Sequence, residues 1–114
     1  MKNLVYGLLF YFLGQTIIWF QSNGQFIWPW FKNNPIILSI FSGSIVSYMF
    51  ILGTQYLYTY FGGIVWPGRF IGFSIGIFIF ALFAWYFLGE GVNMKTLISL
   101  VLAAMLIGIQ LFWK

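Results

Sequence analysis

Tyr11, Gln15 and Trp19 recur at a spacing of four inside an otherwise apolar stretch, which places a phenol, an amide and an indole on one face of a helix. Ser44, Tyr48 and Gln55 follow at spacings of four and seven, so a second helix carries a similar set. Polar groups at membrane depth are costly, and they mark either function or bonding between helices. Two uses are therefore open to Gln15 and Gln55. Each can bond a neighbouring helix, worth about 0.6 kcal/mol on average, or two amides and a phenol can converge on a central cleft and touch a substrate. Either use is hydrogen bonding and ring contact without proton transfer, because an amide side chain does not titrate.

Other chemistry is scarce. The chain has no cysteine and no histidine, and Glu90 is its single carboxylate side chain. That composition removes thiolate chemistry, disulfides and the usual zinc and haem ligands. There is no nucleophile paired with a base, and Gly68, Gly72 and Gly76 lack the strand and the lysine that a phosphate-cradling loop needs. The expectation is a protein that is not an enzyme and that holds no metal and no cofactor. Its cations, Lys2, Lys32, Arg69, Lys95 and Lys114, stand singly and form no basic patch for nucleic acid despite a net charge of +4. Their work is to set topology and to meet lipid headgroups. Arg69, beside Trp66 and Pro67, is positioned to reach a headgroup or another anion by snorkelling.

The elements that must position these residues follow from the gaps between charges. Only 5% of the chain is charged and 62% is hydrophobic, whereas a soluble domain is roughly one quarter charged. The uncharged stretches 3–31, 33–68, 70–89 and 96–113 can each supply the roughly 20 helical residues that cross a bilayer core. The fold class expected is an all-α integral membrane bundle of four transmembrane helices, at about residues 4–20, 36–58, 67–88 and 94–113, forming one domain over 1–114. A membrane barrel needs at least about eight strands of alternating polarity, more than this chain can supply. Lys2 and the apolar run behind it look like a signal peptide, but the run continues to Phe20 without a small-residue cleavage site, so it is taken as the first span.

Turn signals support these boundaries. Gln21 to Gln25 forms a polar run expected to be a loop, Pro35 marks the start of the second span, and Tyr56, Tyr58 and Tyr60 precede Gly62-Gly63 at its end. Gly89 to Asn93 closes the third span. Four passes put both termini on one side, where Lys2, Arg69 and Lys114 outnumber Lys32 and Lys95 opposite, favouring cytoplasmic termini. In lipid, small residues carry close helix packing. Gly68, Gly72 and Gly76 form one such stripe, Ser39, Gly43 and Ser47 a second, and Ser99 with Ala103 and Ala104 with Gly108 a third. They serve packing within the chain or, on the fourth span, a homodimer or a larger membrane partner.

Ala84-Trp85-Tyr86-Phe87-Leu88-Gly89-Glu90, followed by Leu97 to Leu111 with Gly108, resembles the penultimate helix, glycine-glutamate turn and last helix of the drug/metabolite transporter superfamily. In size and hairpin order the chain is similar to the small multidrug resistance branch of four-helix subunits. Gly14-Gln15-Thr16 stands where those exporters carry a membrane-embedded glutamate, with Ser22 and Gly24 in the loop that follows. The resemblance implies a homodimeric transporter of a bacterial-type inner membrane. With glutamine in that place it implies transport without proton exchange at the first helix, of a small amphipathic, neutral or lipid-linked substrate. Superfamily members without this carboxylate include small paired subunits that flip aminoarabinose-modified lipid carriers.

Overall fold

Prolines open three of the described helices, and left-handed glycines follow two of them. The computed structural model describes residues 1–113, so Lys114, counted above with the cations on the terminal side, lies outside it. Its helices are α1 (Lys2–Asn23), α2 (Pro29–Asn33), α3 (Pro35–Tyr60), α4 (Trp66–Leu88) and α5 (Met94–Phe112). A single 3-10 turn, Gly24–Phe26, links α1 to α2. Pro29, Pro35 and Pro67 all sit in first turns, where a missing N–H leaves no bond unmade. Gly62, Gly63 and Gly89 take φ of 75°, 89° and 72°, left-handed values that favour glycine, directly after α3 and α4. Behind Gly89 the Glu90 amide donates to the Ala84 carbonyl at 3.2 Å and closes the last turn. Asn93 caps α5 by accepting from the Thr96 amide at 2.8 Å.

Four of these helices, α1, α3, α4 and α5, are long and apolar enough to cross a bilayer, as an integral membrane protein requires. Two local features differ from expectation. The polar run from Gln21 was expected to be loop, yet α1 continues through Asn23. Its polar side chains are satisfied while helical, because Ser42 Oγ donates to Gln21 Oε1 at 2.6 Å and Asn23 Nδ2 donates to the Trp19 carbonyl at 3.2 Å. The segment around Trp28 and Trp30 also coils into α2, a helix with no counterpart in the four expected spans. It folds back so closely that a Cβ on Gly24 would lie 2.4 Å from the Phe31 ring.

α1 is the organising element. It packs along most of α3 and along α4, α5 leans on α4, and α3 meets α4 only sparsely. The α1–α3 crossing is set by glycines. A Cβ on Gly7 would stand 2.6 Å from Leu57 Cγ and 3.3 Å from the Gly53 carbonyl oxygen, and one on Gly53 would stand 3.3 Å from the Gly7 carbonyl oxygen. Two backbones thus touch without side chains between them, the arrangement that dispersion favours where lipid gives no hydrophobic drive. Gly14 repeats the device one level along α1, where the Phe50 ring occupies the space of its missing side chain. Leu4, Tyr11, Leu57 and Ile71 form the buried cluster around this crossing. The bundle is a slab of 47 × 36 × 18 Å, so most apolar side chains face outward, as they do in lipid.

At the other end of α1, rings replace glycine as the packing device. Trp19 and Phe20 lie against Phe83 and Phe87 of α4 with centroid separations between 5.3 and 5.7 Å. Trp28 extends this cluster toward α2 through Phe20 and Phe31. Substituting Gly7→Ala is expected to destabilise the fold by about 1–3 kcal/mol, the usual cost of overpacking. Introducing Leu57→Ala as well removes the atom in the way, so the glycine substitution costs less in that background. Unfolding in mixed detergent micelles, followed by tryptophan fluorescence, reads both values, and equal costs in the two backgrounds would contradict the crossing described.

Candidate functional site

The predicted face of α1 points into the bundle. Tyr11 is buried and its hydroxyl shares a 2.8 Å hydrogen bond with Thr54 Oγ1 of α3. On its other side the ring lies where Gly72 of α4 has no side chain, a Cβ there falling 3.3 Å from the ring. Gln15, one turn further on, donates from Nε2 to the Gly72 carbonyl at 3.2 Å. A helix carbonyl keeps a second lone pair for such a donor, and glycine leaves it uncovered. The amide also fills the place of a side chain at Gly76, where a Cβ would sit 2.7 Å from Cδ and Oε1. The stripe Gly68, Gly72, Gly76 therefore packs within the chain, as a channel on α4 that receives Tyr11 and Gln15 of α1.

These pairings show that α1 and α4 run parallel, since Tyr11 meets Gly72, Gln15 meets Gly76 and Trp19 meets Phe83. Between them lie two cavities. The larger, of about 660 Å³, is lined by Tyr11, Gln15, Phe50 and Thr54, and on the α4 side by residues from Val65 to Ile77 that include Trp66 and Arg69. It lies beside the middle of α1 and the N-terminal half of α4. The smaller, of about 340 Å³, is lined by Gln15, Ile18, Trp19, Ser22, Asn23, Gly76 and Phe80, toward their C-terminal ends. Gln15 and Gly76 line both. The larger volume falls within the roughly 300–1,000 Å³ of small-molecule sites.

Of the residues singled out in the sequence, Tyr11, Gln15 and Arg69 thus meet at the larger cavity, and Trp19 joins Gln15 at the smaller. Tyr48 and Gln55 do not join them. Tyr48 is 60% exposed on the outer side of α3, Gln55 is exposed as well, and neither lines a cavity, so the expected convergence of two amides is absent. The reason is the packed face of α3, which is set by Val46, Phe50, Gly53 and Leu57 at spacings of four, three and four, and which turns the Tyr48 and Gln55 face outward. Ser44 shows the same orientation, its hydroxyl donating to the Ile40 carbonyl within its own helix. On α5, Ala103 is buried, whereas Ala104 is exposed and Gly108 has open space where a Cβ would be.

Sequence reasoning passed over Phe50 and Thr54, which line the larger cavity. Their signal was the glycine beside them. Gly53 lies between two apolar turns and marks the side of α3 that approaches another helix, and Thr54 is next to it. Two buried polar atoms, Trp19 Nε1 and Ser74 Oγ, have no hydrogen-bond partner among the described residues. The arrangement can hold an organic guest by ring contact, accept a hydrogen bond at Tyr11 or Thr54, and offer one positive charge at Arg69.

The Tyr11–Thr54 bond is expected to behave as an ordinary interhelical pair. In a double-mutant cycle of Tyr11→Phe and Thr54→Val, the coupling energy should be about 0.6 kcal/mol, measured by unfolding in mixed micelles, and zero coupling would show the bond to be energetically idle. Comparison with protein-family models, with curated proteins and with solved structures gives no significant match to this chain.

Proposed function

We propose that the chain is a small four-helix membrane transporter subunit of the drug/metabolite transporter type, similar to small multidrug resistance subunits, that moves or flips a small amphipathic, neutral or lipid-linked substrate. The observation that carries this reading is the pair of cavities that share Gln15 and Gly76. The cavities follow one another along two parallel helices, and a single amide stands between them. Such a layout suits alternating access, in which a guest rests on one side of a barrier and leaves from the other after a small shift of α1 against α4. Glutamine at that barrier supplies hydrogen bonds without a titratable proton, so the movement is not driven by proton exchange at this position. In this reading the protein is not an enzyme, works as a homodimer in a bacterial-type inner membrane, and keeps both termini on the cytoplasmic side.

The test is transfer of a fluorescent amphiphile across vesicles containing the purified protein. Gln15→Ala removes the group at the barrier and is expected to change the transfer rate by about tenfold, the effect of one polar contact on a barrier. Gly76→Leu fills the junction and is expected to stop transfer. Rates equal to those of the unmodified protein in both variants, at equal protein incorporation, would sink the proposal.

A second reading has its own support. α5 contributes only Ala103 to the buried core among the described residues, and its Ala104 and Gly108 positions are uncovered. A helix so lightly held suits an accessory subunit that rests on a larger membrane complex. Purification in mild detergent separates the readings, because stable recovery of a larger partner favours this one and recovery of the chain alone or as a homodimer favours transport.

A further inference from the structure

Three features of the larger cavity bear on what it takes. The first is its opening. α3 and α4 touch only sparsely, and the cavity lies in the gap they leave. Phe73, which lines it, is 57% exposed although it stands seven residues into α4, roughly 10 Å along the helix from Trp66. Thr54 on the α3 side is exposed too. The cleft is therefore open sideways along the α3–α4 flank of the single chain.

The second feature is charge. Among the described residues, Arg69 is the one charged side chain lining the cleft, and no carboxylate lines it. A cationic guest would meet a like charge without compensation, whereas a phosphate finds a guanidinium, whose planar fork bonds two phosphate oxygens at once. The third is the character of the walls. Phe50, Val65, Trp66, Phe73 and Ile77 present apolar surface, while Tyr11 and Thr54 place hydroxyls at the level of Gly68, beside Arg69, and Gln15 places an amide further along, at Gly72 and Gly76. A free inorganic anion would leave most of that apolar surface unused.

We propose that this cleft binds a phosphate-bearing amphiphile that enters sideways between α3 and α4, with its phosphate on Arg69 and its chain leaving past Phe73 into the surrounding hydrocarbon. The proposal rests on the cleft being the substrate site of the transport reading, and it names the class of that substrate. A headgroup with further polar atoms reaches Thr54, Tyr11 and the free Gln15 Oε1. Trp66, stacked on Phe70 with centroids 5.8 Å apart, flanks the entrance at the depth where indoles favour the interface.

The experiment is equilibrium binding to the full chain in nonionic detergent, using a fluorescent alkyl phosphate competed by dodecyl phosphate, dodecyltrimethylammonium and inorganic phosphate. Dodecyl phosphate should displace the probe, and the other two should not at the same concentration. Arg69→Gln should weaken probe binding by about tenfold, the value of a hydrogen-bonded charge contact, and Arg69→Lys should recover part of it. Should Arg69→Gln fail to fold, the order of the three competitors on the unmodified protein still decides the question. Equal displacement by the ammonium compound would overturn the charge assignment, and equal displacement by inorganic phosphate would overturn the amphiphile. A Phe73→Cys variant that cross-links to a second copy, with loss of probe binding on dimerisation, would show that another chain fills the cleft and would overturn the proposal. Because the readout is binding rather than flux, its failure is distinguishable from failure of the transport reading. A protein that binds the probe but moves nothing refutes transport and keeps the site, and one that moves a neutral amphiphile without binding the probe does the reverse.

Discussion

The bare contact between Gly7 and Gly53 is the constraint on which the other features of the bundle depend. In a hydrocarbon solvent, apolar side chains gain little by meeting one another, and helices associate where their backbones can come close. That approach fixes the rotation of α1. With its glycine side against α3, the Tyr11 ring is wedged between Gly53 and Gly72, and Gln15 falls on the glycine channel of α4. The interior positions of α1 are thus settled by which residues lack a side chain.

A second consequence is economy of polar groups. Gln15 bonds a helix carbonyl and stands between two cavities, so one amide serves assembly and the proposed path together. The Tyr11 hydroxyl likewise joins α1 to α3 while lining the larger cavity. Such groups are hard to classify as structural or functional, because satisfying them within the fold is what makes them tolerable at membrane depth. A guest that displaced the Gln15 bond to Gly72 would have to replace it, which ties occupancy of the cleft to the α1–α4 contact.

Much of the helical layout was legible in the sequence, because charge-free length, proline in first turns and glycine after last turns are local signals. Gly62-Gly63 and Gly89 act at the helix ends where they were expected, whereas Asn93, expected to help close the third span, caps the start of α5. The face of α1 was legible as well, since a regular spacing of four survives folding. The face of α3 was not. Tyr48 and Gln55 are conspicuous as polar residues, yet a helix in lipid is oriented by closeness of approach, and the small residue at 53 outweighed them. α2 was also missed, because five residues carry too little periodicity to show a helix. The polar run after Phe20 misled for a related reason, as its amides find partners on α3 and within α1 that no local pattern reveals.

The slab is only 18 Å across its thin direction, less than two helix diameters of about 10–12 Å each. A body so thin has almost no interior, and the list of fully buried side chains is short, with Leu57, Ile71 and Ser74 its largest members. Over most of its surface one greasy side chain can stand in for another without opening a void, so the fold is most sensitive at the few places where helices touch.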